Sequence, residues 1–349
     1  LTLTRYPAIV TNEVKVEHWI EFIALAALIV FGGSRLSKYG DVIAEKTGAG
    51  RAWTGLILLA SITSLPELVT GVSAVTFAGV PDIAVGDVMG ACVFNLITLA
   101  LLDPIDRSSP IFSKIGRTHV MSAGFGILML GVVSASILLE SSAPSAFGIG
   151  IYTPIIAVAY IVGIRTIYYY EKKFLRKLVE EATEKLKYTE IPLKRAIILY
   201  AVNGLLVMGA AIFLPFVAGR LAEETGLGAG FFGTFFVAMV TTLPEFVVSI
   251  SAVRIGAYDL AIGNLLGSNM FNIALLAVDD ILYAGGPLFS DISSAHATTG
   301  LMAMIMTSIA ILSVTYRPEK KSVMRFGWDS LTMLAVGALN MYLMYLKSG

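Results

Sequence analysis

Ten stretches of the chain are apolar for long enough to cross a hydrocarbon core, which takes about 17 to 25 helical residues. They fall at 18–34, 52–78, 81–102, 118–139, 146–169, 196–218, 230–253, 258–284, 295–315 and 328–346. The intervals between them are short except one. The segment Glu171 to Arg195, EKKFLRKLVEEATEKLKYTEIPLKR, is long, polar and basic, and predicts an amphipathic surface linker that divides the spans into five and five. With an odd number of spans per half, the second half enters the membrane upside down relative to the first. The pattern therefore predicts an all-α membrane protein of ten transmembrane helices, built as two inverted five-helix repeats. Its parts are an extracytoplasmic N-terminal segment at 1–17, a first repeat at 18–170, the linker at 171–195 and a second repeat at 196–349.

Composition agrees: 56% of the 349 residues are hydrophobic and 14% charged, with a mean hydropathy of +0.79, too apolar for a soluble core of this size. The formal net charge is zero, and placement carries the information. Lys and Arg gather after the odd spans, at Arg35, Lys38, Lys46 and Arg51, then Arg107, Lys114 and Arg117, then Arg254, then Arg317, Lys320, Lys321 and Arg325. The positive-inside rule makes those loops and the linker cytoplasmic and both termini external. Tyr168, Tyr169 and Tyr170 before Lys172 and Lys173 fit an interfacial aromatic belt. No apolar run ending in a small-residue cleavage site precedes His18, so no signal peptide is expected. Cys92 is the only cysteine, which excludes an intrachain disulfide and a CxxC metal site. The expected surroundings are lipid, with no nucleic acid, no cofactor and a chain working as a monomer.

Inverted halves should leave a trace in the sequence, and two blocks repeat. SITSLPELVTGVSAV (Ser61 to Val75) matches MVTTLPEFVVSISAV (Met239 to Val253) at an offset of 178, and DIAVGDVMGACVFNLITLALLD (Asp82 to Asp103) matches DLAIGNLLGSNMFNIALLAVDD (Asp259 to Asp280) at 177. Paired unusual residues in two halves are the sequence sign of a secondary transporter whose site lies at the repeat interface.

Each half carries a polar unit deep in an apolar span: Thr63, Ser64, Pro66 and Glu67, then Thr241, Thr242, Pro244 and Glu245. A charge at the centre of a span costs about 2.5 to 3.5 kcal/mol on the mildest scale. No Lys or Arg lies at that depth to offset it. The simplest partner is a cation from solution. The prolines free carbonyls one turn earlier and bend the helix. Carboxylates, hydroxyls and bare carbonyls make a hard-oxygen site that suits calcium or sodium. The next span of each half adds a Gly-x-x-x-Gly motif with a polar residue inside it, Gly86, Asp87 and Gly90, then Gly263, Asn264 and Gly267. Glu67, Glu245 and Asp87 give three carboxylates and Asn264 one amide. One calcium leaves that set at minus one and three sodium ions neutralise it, which points to competition between a divalent and several monovalent ions; a proton on Asp87 would serve equally well.

The paired blocks TSLPEL with GDVMGACVFN and TTLPEF with GNLLGSNMFN resemble the two α-repeats of the calcium/cation antiporter superfamily, and more closely its prokaryotic sodium/calcium exchangers. The resemblance covers essentially all ten spans. It implies alternating access, with calcium held by Glu67, Glu245, Thr63 and Thr241. Sodium would use those glutamates and hydroxyls, Ser64, Thr242 and the carbonyls of Ala60 and Ala238, with Asp87 and Asn264 as further coupling positions. The chain departs from the pattern at Ile62 and Val240, where the family has glycine, and at Gly90, Ala91 and Cys92, where Gly-Ser-Asn is common. The proton/calcium exchangers of the superfamily show a Gly-Asn-Ala-x-Glu repeat that is absent here, which places sodium ahead of protons as coupling ion.

Other residues have plainer readings. Asp103 and Asp280 are repeat equivalents, with Asp279 beside the second, and read as helix-end carboxylates before acidic vestibules. His119 and His296 share the 177 offset and read as interfacial anchors, and Cys92 as small packing. A membrane enzyme lacks any HExxH or GxSxG motif. A passive channel lacks a polar face running through the membrane. A proton-coupled antiporter of calcium or another divalent is the nearest rival.

Overall fold

The computed structural model describes residues 16–47, 63–105, 110–116, 119–139, 145–178, 190–254, 258–317 and 325–347. The part of the expected second span before Thr63, including Ala60 and Ile62, and residues 179–189 of the linker lie outside the described residues.

The chain is predominantly helical. In order come α1 (Val16–Thr47), α2 (Leu65–Ser73), α3 (Pro81–Leu101), α4 (His119–Leu139), α5 (Tyr152–Leu178), α6 (Leu193–Thr225), α7 (Ala229–Phe232), α8 (Ala238–Thr241), α9 (Leu243–Arg254), α10 (Tyr258–Leu282), α11 (Ala295–Tyr316) and α12 (Trp328–Lys347). Widened π turns at Ala74–Ala78 and Gly233–Val237 continue α2 and join α7 to α8. Among the described residues, five helices are long and apolar enough to span a bilayer, and a sixth span results if Ala229–Thr241 and Leu243–Arg254, bent by 41°, count as one. α1, α5 and α12 fall on three more of the expected spans. A two-residue hairpin, Ser145–Ala146 against Ile149–Gly150, departs from the all-helical expectation. Its turn places Phe147 and Gly148 at φ of 56° and 80°, the conformation a two-residue hairpin requires.

Burial sorts the helices into a centre and a rim. The apolar windows of α3 and α10 are 83% and 78% buried, against 28% for α6. Small residues bring the central helices together. A Cβ built on Gly86 would lie 2.9 Å from the Thr234 backbone nitrogen, and one on Gly90 would collide with the Thr234 carbonyl oxygen. Lipid gives helices no hydrophobic reason to associate, so backbone approach of this kind carries the packing. α4 and α11 flank the centre, and α1 lies along α6. The α1–α6 pair is tied by Arg220 Nη2 to Glu21 Oε2 at 2.9 Å and His18 Nδ1 to Glu224 Oε1 at 2.7 Å. The rim presents exposed Leu28, Phe31, Ile161, Leu205, Phe213 and Leu312, a surface suited to acyl chains.

The sequence offset of 177 reappears in the hydrogen bonds. His296 meets Asp82 at 3.0 Å and His119 meets Asp259 at 3.0 Å. The same two aspartates accept from the backbone nitrogens of Ser293 and Gly116, each at 2.8 Å. Asp103 accepts from Ile111 N at 2.9 Å, Gly327 N at 2.5 Å and Ser330 Oγ at 3.2 Å. Asp280 accepts from Leu288 N at 2.7 Å, Gly150 N at 3.0 Å and Thr153 Oγ1 at 2.5 Å, and adds Tyr152 Oη at 2.7 Å. Asp103 and Asp280 are helix-end carboxylates, as expected, but buried ones that pin distant loops. The histidines, expected as interfacial anchors, each bond an aspartate from the far side of the linker.

Candidate cation site

Both Leu-Pro-Glu units begin a new helix. α2 starts at Leu65 and α9 at Leu243, so Pro66 and Pro244 occupy the first turn, where a missing N–H costs nothing. Ser64 stands in the capping position and does not cap. Its Oγ instead donates to Glu245 Oε1 at 3.0 Å, across 181 residues. The break thus turns a hydroxyl from its own helix toward the carboxylate of the other half. Thr242, at the equivalent break, bonds back to the Ala238 carbonyl at 2.7 Å.

The threonines reach across to the central helices. Thr241 Oγ1 donates to Asp87 Oδ1 at 2.8 Å and lies 3.2 Å from the carbonyl oxygens of Val237 and Ala238. Thr63 Oγ1 lies 3.4 Å from Asn264 Oδ1 and 3.5 Å from Ser268 Oγ. Ser268 in turn approaches Glu245 Oε1 at 3.5 Å, and Asn264 Nδ2 donates to Ser249 Oγ at 3.2 Å. Glu67, Asp87 and Glu245 lie close enough to feel one another's charge. All three are fully buried.

Among the described residues, both oxygens of Glu67, Oδ2 of Asp87 and Oε2 of Glu245 have no hydrogen-bond partner. Sealed carboxylate oxygens without donors are costly, and the set around them is oxygen throughout: hydroxyls of Thr63, Ser64 and Thr241, the Asn264 amide and the Ala238 carbonyl. That donor set fits a hard cation. Among the described residues no three His, Cys, Asp or Glu side chains come together as a metal cluster by themselves, so an ion here would draw on hydroxyl and carbonyl oxygens as well. Of the positions singled out from sequence, Thr63, Ser64, Glu67, Asp87, Ala238, Thr241, Glu245 and Asn264 converge. Thr242 is engaged by its own helix, and Ala60 lies outside the described residues.

Two further polar residues join them. Ser268, kept from the Gly-Ser-Asn of the second repeat, links Thr63 to Glu245. Ser249, one turn beyond Glu245, orients the Asn264 amide. The departure of the first repeat also has a structural answer: Asn269 Nδ2 donates to the Cys92 carbonyl at 3.2 Å and Asn95 Nδ2 to Asn269 Oδ1 at 2.9 Å, so one asparagine serves both central helices where they cross.

A sequence model described as sodium/calcium exchanger protein matches residues 17–164 and 195–346. The chain belongs to the sodium/calcium exchanger family. It is thus an integral membrane protein of a family of transporters, not enzymes, whose cargo is inorganic cations. The exchanger is 25% identical over 344 residues to the sodium/calcium exchanger MaX1 of Methanosarcina acetivorans, covering 90% of this chain and 95% of that one. It is 25% identical over 259 residues to the inner membrane protein YrbG of Escherichia coli K12, covering 71% and 74%. Among solved structures it shares the fold of the sodium-calcium exchanger NCX_Mj in crystals soaked with sodium and strontium, with a TM-score of 0.61 at 20% identity over 94% of this chain and 99% of that one.

Proposed function

We propose that the chain exchanges calcium for sodium across the membrane by alternating access, with both ions held at mid-membrane by Glu67 and Glu245. The observation that carries this reading is the set of buried carboxylate oxygens, from both sides of the linker, that lack a donor among the described residues, beside the Ser64 and Thr241 hydroxyls that bond the other oxygens of Glu245 and Asp87. Calcium uses the two glutamates with Thr63 and Thr241. Sodium uses Ser64, Thr242, the carbonyls of Ala60 and Ala238, Asp87 and Asn264. The name of MaX1 supports sodium and calcium as the exchanged pair.

Ten spans in two inverted halves, 18–170 and 196–349, joined by a cytoplasmic linker at 171–195 with both termini outside, give this site its frame. The family match in two separate stretches and the hydrogen bonds recurring at a separation of 177 support it. The moving part is the α1–α6 pair. It is bound to itself by the Arg220–Glu21 ion pair and the His18–Glu224 hydrogen bond, and α6 is the least buried of the spanning helices. An empty site with three charged carboxylates resists occlusion, so the pair moves only with ions bound, and exchange is enforced over leak. The chain works as a monomer.

Calcium-45 uptake into proteoliposomes, driven by an outward sodium gradient and separately by an outward proton gradient with the potential clamped, tests the reading. Uptake that requires internal sodium is expected. Uptake that ignores sodium and follows the proton gradient would reassign the coupling ion, and uptake under neither would overturn calcium as cargo.

A further inference from the structure

Asp279 stands apart from the other acids of the central helices. It is fully buried near the end of α10, and neither of its oxygens has a hydrogen-bond partner among the described residues. Asp280 beside it is the opposite case, accepting from two backbone nitrogens and two hydroxyls. The Asp279 carboxyl lies against Gly71 of α2, where a Cβ would stand 2.7 Å from Oδ2 and 2.9 Å from Oδ1. Gly71 is one turn beyond Glu67 on the same helix, about 6 Å along its axis at 1.5 Å per residue. The arrangement occurs once: the repeat equivalent of Asp279 is Leu102, and that of Gly71 is Ser249.

A carboxylate sealed from water with no donor needs a positive charge. No Lys or Arg pairs with it among the described residues. A metal ion takes several oxygens, but the wall facing this carboxyl is a glycine and no hydroxyl or amide nitrogen stands within hydrogen-bonding range. A proton needs one oxygen only. The ionisable groups on the elements packed against α10 are few. α3 supplies the buried Asp87 and Cys92, and at its start Asp82, which is held by His296 and the Ser293 backbone nitrogen. α2 supplies Glu67 and α9 supplies Glu245. α5 brings Tyr160 and Tyr152, the latter bonded to Asp280, and its Arg165 lies over the Tyr169 ring. His119 of α4 is held by Asp259 at the opposite end of α10.

We propose that Asp279 is a proton-binding site of this antiporter, separate from the carboxylates that coordinate the cation. It carries a proton while the central site is empty, and it releases that proton to bulk water when a cation enters beside Glu67, one helical turn from the Gly71 against which the carboxyl lies. Linkage is reciprocal, so calcium affinity falls as pH falls. The inference rests on the cation-site reading of Glu67, Asp87 and Glu245.

Two measurements on the purified full-length protein test it. In weakly buffered detergent with a pH dye, calcium is added and the released protons are counted against bound calcium from calorimetry. Asp279→Asn should release about one proton fewer per protein than the wild type while still binding calcium, one carboxyl having left the linked set. An unchanged count overturns the proposal. Infrared spectroscopy of the cation-free protein gives a readout that needs no calcium: a protonated-carboxyl band that titrates with pH should vanish in Asp279→Asn and shift in Gly71→Ala, which crowds the carboxyl and keeps it. A band unchanged in both overturns the proposal even if Asp279→Asn folds poorly. If the band behaves as expected while Glu67→Gln and Glu245→Gln leave calcium transport intact, the cation-site reading falls and the proton site stands.

Discussion

Glu245→Gln removes one charge from the centre of the membrane and leaves the shape of the side chain nearly unchanged. Its Oε1 takes Ser64 at 3.0 Å, and its Oε2 has no partner among the described residues, so the second oxygen is the one free for an ion. Two unit charges about 4 Å apart at an effective dielectric near 20 interact by about 4 kcal/mol, and a divalent ion doubles this to about 8 kcal/mol. Part of that is returned, because the glutamine carbonyl is still a ligand and a buried carboxylate no longer has to be desolvated. A surviving loss of about 4 kcal/mol corresponds to a factor of about a thousand in calcium affinity. Ser64→Ala removes one neutral hydroxyl from the same oxygen, about 1 kcal/mol and under tenfold. The assay is sodium-driven calcium-45 uptake at several calcium concentrations in proteoliposomes with matched protein content. The expected order is wild type, then Ser64→Ala at slightly raised half-saturation, then Glu245→Gln with no measurable uptake. Glu245→Gln retaining flux within tenfold of wild type would refute the assignment of this carboxylate to the ion.

Further outcomes follow from the same geometry. Asp87→Asn should weaken the coupling ion more than calcium, and adding Asn264→Asp should restore part of the loss, because the two side chains occupy equivalent places opposite Thr241 and Thr63; sodium dependence of uptake measures both. Gly90→Ala should lower the detergent melting temperature, since overpacking typically costs about 1 to 3 kcal/mol and the added methyl meets the Thr234 carbonyl. Gly209→Ala, with nothing within 4 Å of the new atom, should be neutral or stabilising by up to about 1 kcal/mol from helix propensity. Asp280→Ala should cost about 3 kcal/mol or more of stability, because orphaned buried donors cost about 1 to 3 kcal/mol each, and Asp280→Asn less; thermal unfolding followed by size-exclusion separates the two.

Much of the centre was legible before any coordinates, because its residues contradict their surroundings. A glutamate, a proline and two hydroxyls inside an apolar span are conspicuous, and their second appearance 178 residues later removes most accidental explanations. Thr63, Ser64, Glu67, Asp87, Thr241, Glu245 and Asn264 could all be named that way. Which of them meet could not, since Ser64 turning to Glu245 and Thr241 to Asp87 depends on how broken helices cross. The matched histidines were visible as a pair, but their aspartate partners are tertiary facts carried by no local pattern. Asp279 was the least legible. It sits beside Asp280, which has a counterpart at Asp103, and it has none of its own, so the repeat that exposed the other acids concealed this one.

The exchanged histidine and aspartate bonds bear on how the molecule divides. Asp82 answers to His296 and Asp259 to His119, so each acid is satisfied by an imidazole carried beyond the linker and by none in its own half. A contact in which patch A meets patch B twice under one rotation is isologous, the form that two copies of a single chain adopt about a two-fold axis. Asp82 and Asp259 draw their donors from across the linker, so a cut within it would leave two fragments with matching open valences, each a ready-made template for the other.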